Sequence, residues 1–166
     1  MFVTRAGRDL FMSLWNHYSN YSQDFLKMLD ELPGRAGDAF PPAGDDIHQV
    51  WRDWIGRGWF DRESDGYPFR SQLHVITTWW EERHLPNILF VNYVDMPKDL
   101  SGRIQRIADY LEIEMTPQYL REVTDPCRLE SMKQRANEVV AMAEVLFDGG
   151  ARTLINKGPR GADATC

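Results

Sequence analysis

Leu10, Phe11, Leu14, Trp15 and Tyr18 recur at spacings of three and four residues, the repeat of one face of a helix, so the pattern predicts a helix over about Asp9 to Tyr21. Ahead of it Phe2 to Thr4 reads as the stub of a strand, and the Ala6-Gly7-Arg8 turn leaves Asp9 as the first residue of the helix. Phe25, Leu26, Met28 and Leu29 extend or follow that helix. The periodicity then stops. Pro33, Gly34, Gly37, Pro41, Pro42 and Gly44 are too dense for regular structure, and they predict a long loop from Leu32 to Asp46, of a length commonly used for lids or binding segments.

Ile47, Val50, Trp51, Trp54 and Ile55 predict a short helix, closed by the breakers Gly56, Gly58, Asp65, Gly66 and Pro68. A helix from Ser71 to about Arg83 carries Leu73, Ile76, Trp79 and Trp80, and Pro86-Asn87 stops it. The run Ile88 to Tyr93 has the length and apolarity of a buried strand, so helix followed by strand predicts a parallel α/β sheet. Ile104, Ile107, Ala108 and Leu111 predict an amphipathic helix after Ser101, and Thr116-Pro117 supplies an N-cap followed by Pro at the first helical position. Met132 to Phe147 permits helix throughout, and Gly149-Gly150 ends it. No internal repeat or low-complexity segment is visible.

Composition narrows the classes. A chain of 166 residues with 43% apolar and 12% aromatic content can bury the core of one domain, expected here over residues 1–166. A net charge of -6 disfavours nucleic-acid backbones as partners, although clustered Arg residues can still hold one anionic ligand. No run approaches eighteen apolar residues and no signal peptide is recognisable, so a soluble cytoplasmic protein with no membrane partner is expected. Cys127 and Cys166 form no metal-ligand spacing, and Cys127 is expected to be a small buried apolar residue. His17, His48, His74 and His84 are not clustered as metal ligands would be, no metal is expected, and no catalytic base is assigned among them.

Five segments carry candidate chemistry. Arg5, with Ser13 eight residues later, offers a bidentate guanidinium and a hydroxyl to one anionic group. Near the other end, Asn156-Lys157-Gly158-Pro159-Arg160-Gly161 joins a Lys to glycines that let the backbone approach a ligand closely. Between them lie Trp79-Trp80-Glu81-Glu82-Arg83, the strand end Asn92-Tyr93-Val94-Asp95-Met96, and Cys127-Arg128-Leu129-Glu130-Ser131-Met132-Lys133.

In this order the segments resemble the PAPS-dependent sulfotransferase family, in which PAPS is 3'-phosphoadenosine 5'-phosphosulfate. There a strand-end Arg and a Ser eight residues on grip the 3'-phosphate, a Y-E-D-[LM] segment sets its Tyr against adenine, a T-S-F-x-x-M-K segment lines the nucleotide, and an R-K-G-x-x-G loop closes over it. The resemblance implies cofactor-binding roles for Arg5, Ser13, Tyr93, Arg128, Met132, Asn156, Lys157 and Gly158. Cys127, Arg128, Leu129 and Asn156 depart from the family's Thr, Ser, Phe and Arg. The two tryptophans match its W-W-x-x-[KR] helix and are expected to pack on different neighbours, because adjacent helix positions do not share a face.

What the resemblance implies is a P-loop-NTPase-like α/β fold, a parallel sheet flanked by helices. The implied reaction is transfer of a sulfuryl group from PAPS to a small-molecule alcohol, phenol or amine. The family's sulfate-binding loop and K-T-H stretch precede its strand-end Arg, and only four residues precede Arg5, so a fold missing its N-terminal strand and loop and incomplete at both ends is expected. The catalytic residues are left unknown. A second reading is a non-catalytic remnant that binds nucleotide weakly or contacts other proteins. A nucleotide kinase is disfavoured by the lack of a G-x-x-x-x-G-K-[ST] loop.

Overall fold

The computed structural model describes residues 1–34, 38–68 and 71–155. Strand β1 (Phe2–Thr4) is followed by helices α1 (Gly7–Tyr18), α2 (Gln23–Asp30), α3 (Ile47–Gly56) and α4 (Gln72–Glu81). Strand β2 (Phe90–Asn92) runs into a 3-10 turn at Tyr93–Asp95, and α5 (Leu100–Tyr110) and α6 (Pro117–Thr124) come next. A second 3-10 turn at Asp125–Cys127 leads to the short helices α7 (Leu129–Gln134), α8 (Ala136–Val139), α9 (Ala143–Leu146) and α10 (Ala151–Leu154).

The two strands pair in parallel, with Phe2 opposite Phe90, Val3 opposite Val91 and Thr4 opposite Asn92. This is the parallel α/β arrangement expected from helix followed by strand, since parallel neighbours need a long crossover and the helices α1 to α4 provide it. Leu89 and Val91 are buried, whereas Val3 is exposed. The predicted strand from Ile88 to Tyr93 is shortened at both ends. At its C-terminal end the Asn92 carboxamide accepts the Val94 N–H at 3.1 Å, a local bond that competes with further extension and turns the chain at Tyr93.

The main core lies between α1 and α3, where Phe11, Leu14 and Tyr18 meet Trp54. Phe11 contacts Trp51 edge-on with ring centroids 4.9 Å apart and lies 5.6 Å from the ring of Trp54. Each such side chain removed from water contributes roughly 1.5–3 kcal/mol. Asp46 caps α3 by accepting the His48 N–H at 2.9 Å. At α6 the expected cap forms, with Thr116 Oγ1 accepting from the Tyr119 N–H at 3.1 Å.

Helix α1 ends at Tyr18 rather than Tyr21, because Tyr21 forms an antiparallel bridge with Phe147. Backbone bonds from Ser22 N–H to Leu146 O at 3.0 Å and from Asp148 N–H to Asn20 O at 2.8 Å flank that bridge. The run from Met132 to Phe147 breaks into separate helical turns instead of one helix. Arg135 (φ -112°, ψ 28°) and Val140 (φ -131°, ψ 73°) leave helical geometry, and the bends let Ala136, Ala143 and Ala151 collect around Phe147 in a second buried cluster.

Trp79 stacks on Phe2 of β1 with centroids 5.1 Å apart, and Trp80 meets Phe90 of β2 edge-on at 5.9 Å. The adjacent tryptophans therefore seat on different strands, as their spacing required, yet both remain exposed. Helix α4 is held at its start by Asp65, a buried carboxylate that accepts from Ser71 Oγ and from the Leu73 N–H, both at 2.7 Å. Among the described residues no helix is long and apolar enough to cross a membrane.

Candidate functional site

Parallel pairing sets the position of the site. Because Thr4 pairs with Asn92, the next residue on each strand, Arg5 and Tyr93, leaves the sheet at the same carboxyl-terminal edge. In open α/β sheets that edge is where ligands bind. The Arg5 guanidinium carbon lies over the Tyr93 ring, 4.8 Å from its centroid. The Arg5 Nε is buried and has no hydrogen-bond partner among the described residues. A buried guanidinium nitrogen without an acceptor is costly, and an acceptor oxygen brought to it would offset that cost. Tyr93 stands at the exposed margin, 36% accessible, with part of its surface open.

Ser13 is half-buried on α1. It lies six residues beyond the helix's first residue, or about 9 Å of helical rise. Arg128 follows the Asp125–Cys127 turn, is exposed, and donates from Nε to Asp125 Oδ1 at 3.2 Å. Met132 is half-buried on α7, and its N–H donates to the Arg128 carbonyl at 2.9 Å. Arg5 and Tyr93 are thus brought into contact, and Arg128 and Met132 share one helical turn. Among the described residues no hydrogen bond, ion pair or ring contact joins these two pairs to each other or to Ser13. Asn156, Lys157 and Gly158 lie outside the described residues.

One expectation is corrected: Cys127 is exposed, not buried. It ends a 3-10 turn between Pro126 and Arg128, all of them exposed, so no apolar neighbour covers it. Two features of the site were missed from the sequence. The first is the Arg5–Tyr93 contact, which follows only once the register of β1 against β2 is known. The second is Asn92, whose short-range bond to Val94 starts the turn that presents Tyr93; an Asn at a strand end ahead of Asp95 was the available signal.

A separate cavity of about 420 Å³ opens between α1, the loop before α3, and α3 itself. Trp15, Tyr18, Pro42, Asp46, Val50 and Tyr67 are among its walls. The Arg57 guanidinium at its rim lies 3.8 Å from the centroid of Tyr67. Part of the predicted loop from Leu32 to Asp46 therefore lines a concave surface.

Comparison with known proteins adds the following. The sequence profile of the sulfotransferase domain matches residues 1–158. The chain is 30% identical over 152 residues to a glycolipid sulfotransferase of Mycobacterium bovis, an alignment covering 82% of this chain and 46% of that protein. It is 36% identical over 70 residues to sulfotransferase 2A6 of Rattus norvegicus, covering 42% of this chain and 25% of that one. The chain spans about half the length, 46%, of the mycobacterial relative it matches.

Among solved structures, a mouse sulfotransferase complexed with PAP superposes with a TM-score of 0.63 at 17% identity, over 96% of this chain and 49% of that one. Retinol dehydratase in complex with androsterone and the inactive cofactor PAP gives 0.63 at 23% identity, over 96% of this chain and 39% of that one. These are likenesses of fold, and the small parallel sheet with its helices is consistent with an α/β fold of P-loop-like type.

Proposed function

The chain belongs to the sulfotransferase domain family, and on that premise we propose that the junction of Arg5 and Tyr93 holds the 3'-phosphate and adenine side of PAPS. The observation that carries the reading is the Arg5 guanidinium, resting over Tyr93 at the carboxyl edge of the parallel strands with a buried, unpartnered Nε. Guanidinium N–H groups match phosphate oxygens in pairs, and charge-assisted bonds of this kind are about twice as strong as neutral ones. On the same reading Ser13 contributes a hydroxyl donor to that phosphate and Arg128 and Met132 the nucleotide's further wall, and the resemblance adds Asn156, Lys157 and Gly158 as further contacts. Two of the solved neighbours are complexes with PAP, adenosine 3',5'-bisphosphate, which is what PAPS becomes after transfer.

The reaction proposed for the protein is transfer of the sulfuryl group of PAPS to a small-molecule alcohol, phenol or amine. The acceptor oxygen or nitrogen forms a bond to sulfur as the bond from sulfur to the 5'-phosphate oxygen breaks. The acceptor gives up its proton and adenosine 3',5'-bisphosphate leaves. As in phosphoryl transfer, rate comes chiefly from alignment and charge stabilisation. The part this chain supplies is the anchoring of the nucleotide's far end, which fixes where the sulfuryl lies. The cavity lined by Trp15, Tyr18 and the loop before α3 is offered as the acceptor's seat, since it is concave and largely walled by apolar side chains.

Titration calorimetry with adenosine 3',5'-bisphosphate and with 5'-AMP tests the reading. Tighter binding of the bisphosphate by about tenfold or more is expected, the size of one charge-assisted pair. Equal affinity for the two nucleotides would remove the 3'-phosphate from the site.

A further inference from the structure

We propose that Tyr93 is a positioning residue for Arg5: its ring holds the guanidinium by the face so that the edge carrying the N–H groups stays turned to phosphate. This rests on the nucleotide reading above and deepens it, because a side chain placed beside adenine is given a second task at the phosphate end.

The geometry supports it in three steps. First, an Arg side chain carries about 2 kcal/mol of rotamer freedom that an anion would otherwise have to arrest at the moment of binding. Among the described residues Arg5 makes no hydrogen bond or ion pair, and beyond the packing that buries its Nε it rests over the Tyr93 ring at 4.8 Å. Second, a cation over a ring is attracted through the ring's face, whereas guanidinium hydrogen bonds are made in the guanidinium's own plane. With guanidinium and ring face to face, as proposed, the two interactions do not compete, and the ring orients the fork without consuming a donor. Third, both residues are the first beyond paired strands, and the Asn92–Val94 bond at 3.1 Å fixes the turn that carries Tyr93. The ring is thereby seated by the sheet rather than by a free loop.

A flat ring has two faces, and Arg5 engages one of them. Tyr93 as a whole is 36% accessible, and on this proposal its accessible part meets the base. One residue then couples the phosphate and adenine ends of the ligand, and its effect on binding depends on whether Arg5 is present. An adenine contact alone has no such dependence, and that difference makes the proposal measurable.

Two readouts decide it. In the ligand-free protein the Arg5 Nε–H resonance, assigned by its loss in Arg5→Lys, is expected to show an aromatic ring-current shift. That shift persists in Tyr93→Phe and Tyr93→Trp and disappears in Tyr93→Leu. With adenosine 3',5'-bisphosphate as the titrant, a double-mutant cycle between Arg5→Ala and Tyr93→Leu should show coupling of about 2- to 5-fold, the range of an exposed or partly exposed cation–π pair. Tyr93→Trp, with the better cation-binding ring, should match or exceed the parent in affinity, an outcome that misfolding cannot imitate. A resonance unmoved by Tyr93→Leu, or effects of the two substitutions that simply multiply, would overturn the proposal. Should the parent fail to bind the bisphosphate, the nucleotide reading falls, and the Nε–H shift still reports whether Tyr93 holds Arg5.

Discussion

Replacing Asp65 tests how the site is supported at a distance. The carboxylate is 2% exposed and accepts one bond on each oxygen, from Ser71 Oγ and from the Leu73 N–H, both at 2.7 Å. Hydrogen bonds to a charged group contribute about 1.5–3 kcal/mol each. Leu73 itself is exposed and Ser71 is half-buried, so in Asp65→Ala both donors recover part of this from water. The expected cost is therefore near the lower end of the sum, about 2–4 kcal/mol. Asp65→Asn keeps one carbonyl acceptor but turns an amide donor toward a donor, and should cost about 1–2 kcal/mol. Because Asp65 holds the first turn of α4, the loss is expected to loosen Trp79 on Phe2 and Trp80 on Phe90, and with them the strand ends that present Arg5 and Tyr93. Urea unfolding followed by tryptophan fluorescence measures the stability change. A parallel Ser71→Ala variant, combined with Asp65→Asn, reports the coupling. An Asp65→Ala protein within about 0.5 kcal/mol of the parent, the spread of ordinary surface substitutions, would refute the anchoring argument.

Two further outcomes follow from packing and backbone geometry. Trp54 is 3% exposed between Phe11 and Trp51, so Trp54→Ala should cost about 3–5 kcal/mol in chemical unfolding. Its buried Nε1 has no partner among the described residues, so Trp54→Phe should lose much less, and equal losses would contradict the packing account. Gly150 has φ 62° and ψ -148°, a conformation open almost only to glycine, and an added Cβ would lie 2.6 Å from Glu144 Oε1. Gly150→Ala should lower stability by about 1–3 kcal/mol, and a thermal melt unchanged from the parent would count against that strain.

The sequence patterns that announced elements were those that depend on neighbours in the chain. The three- and four-residue repeat of Leu10, Phe11, Leu14 and Tyr18, the breakers Pro33, Gly34, Pro41, Pro42 and Gly44, and the Thr116-Pro117 cap act within a few residues, and each has its counterpart in the structure, while Gly37 lies outside the described residues. What escaped was set by contacts distant in sequence. Helix α1 stops early because Tyr21 pairs with Phe147, and the run from Met132 to Phe147 bends because three alanines converge on the same phenylalanine. Neither event leaves a local signal. The site divides along the same line. Arg5 and Tyr93 were recognisable singly by resemblance, but their contact depends on parallel register, which no periodicity specifies. Cys127 was misplaced because average burial of cysteine says nothing about a turn between two exposed residues.

The central claim is that Arg5 reads the 3'-phosphate of the donor nucleotide. Its most direct measurement is the ratio of affinities for adenosine 3',5'-bisphosphate and 5'-AMP, determined by calorimetry in the parent and in Arg5→Ala at one salt concentration. The account predicts that Arg5→Ala weakens bisphosphate binding by about 1.5–3 kcal/mol, leaves 5'-AMP binding nearly unchanged, and so collapses the ratio toward unity. A ratio that survives the substitution intact would show that another group reads the 3'-phosphate, and would contradict the account.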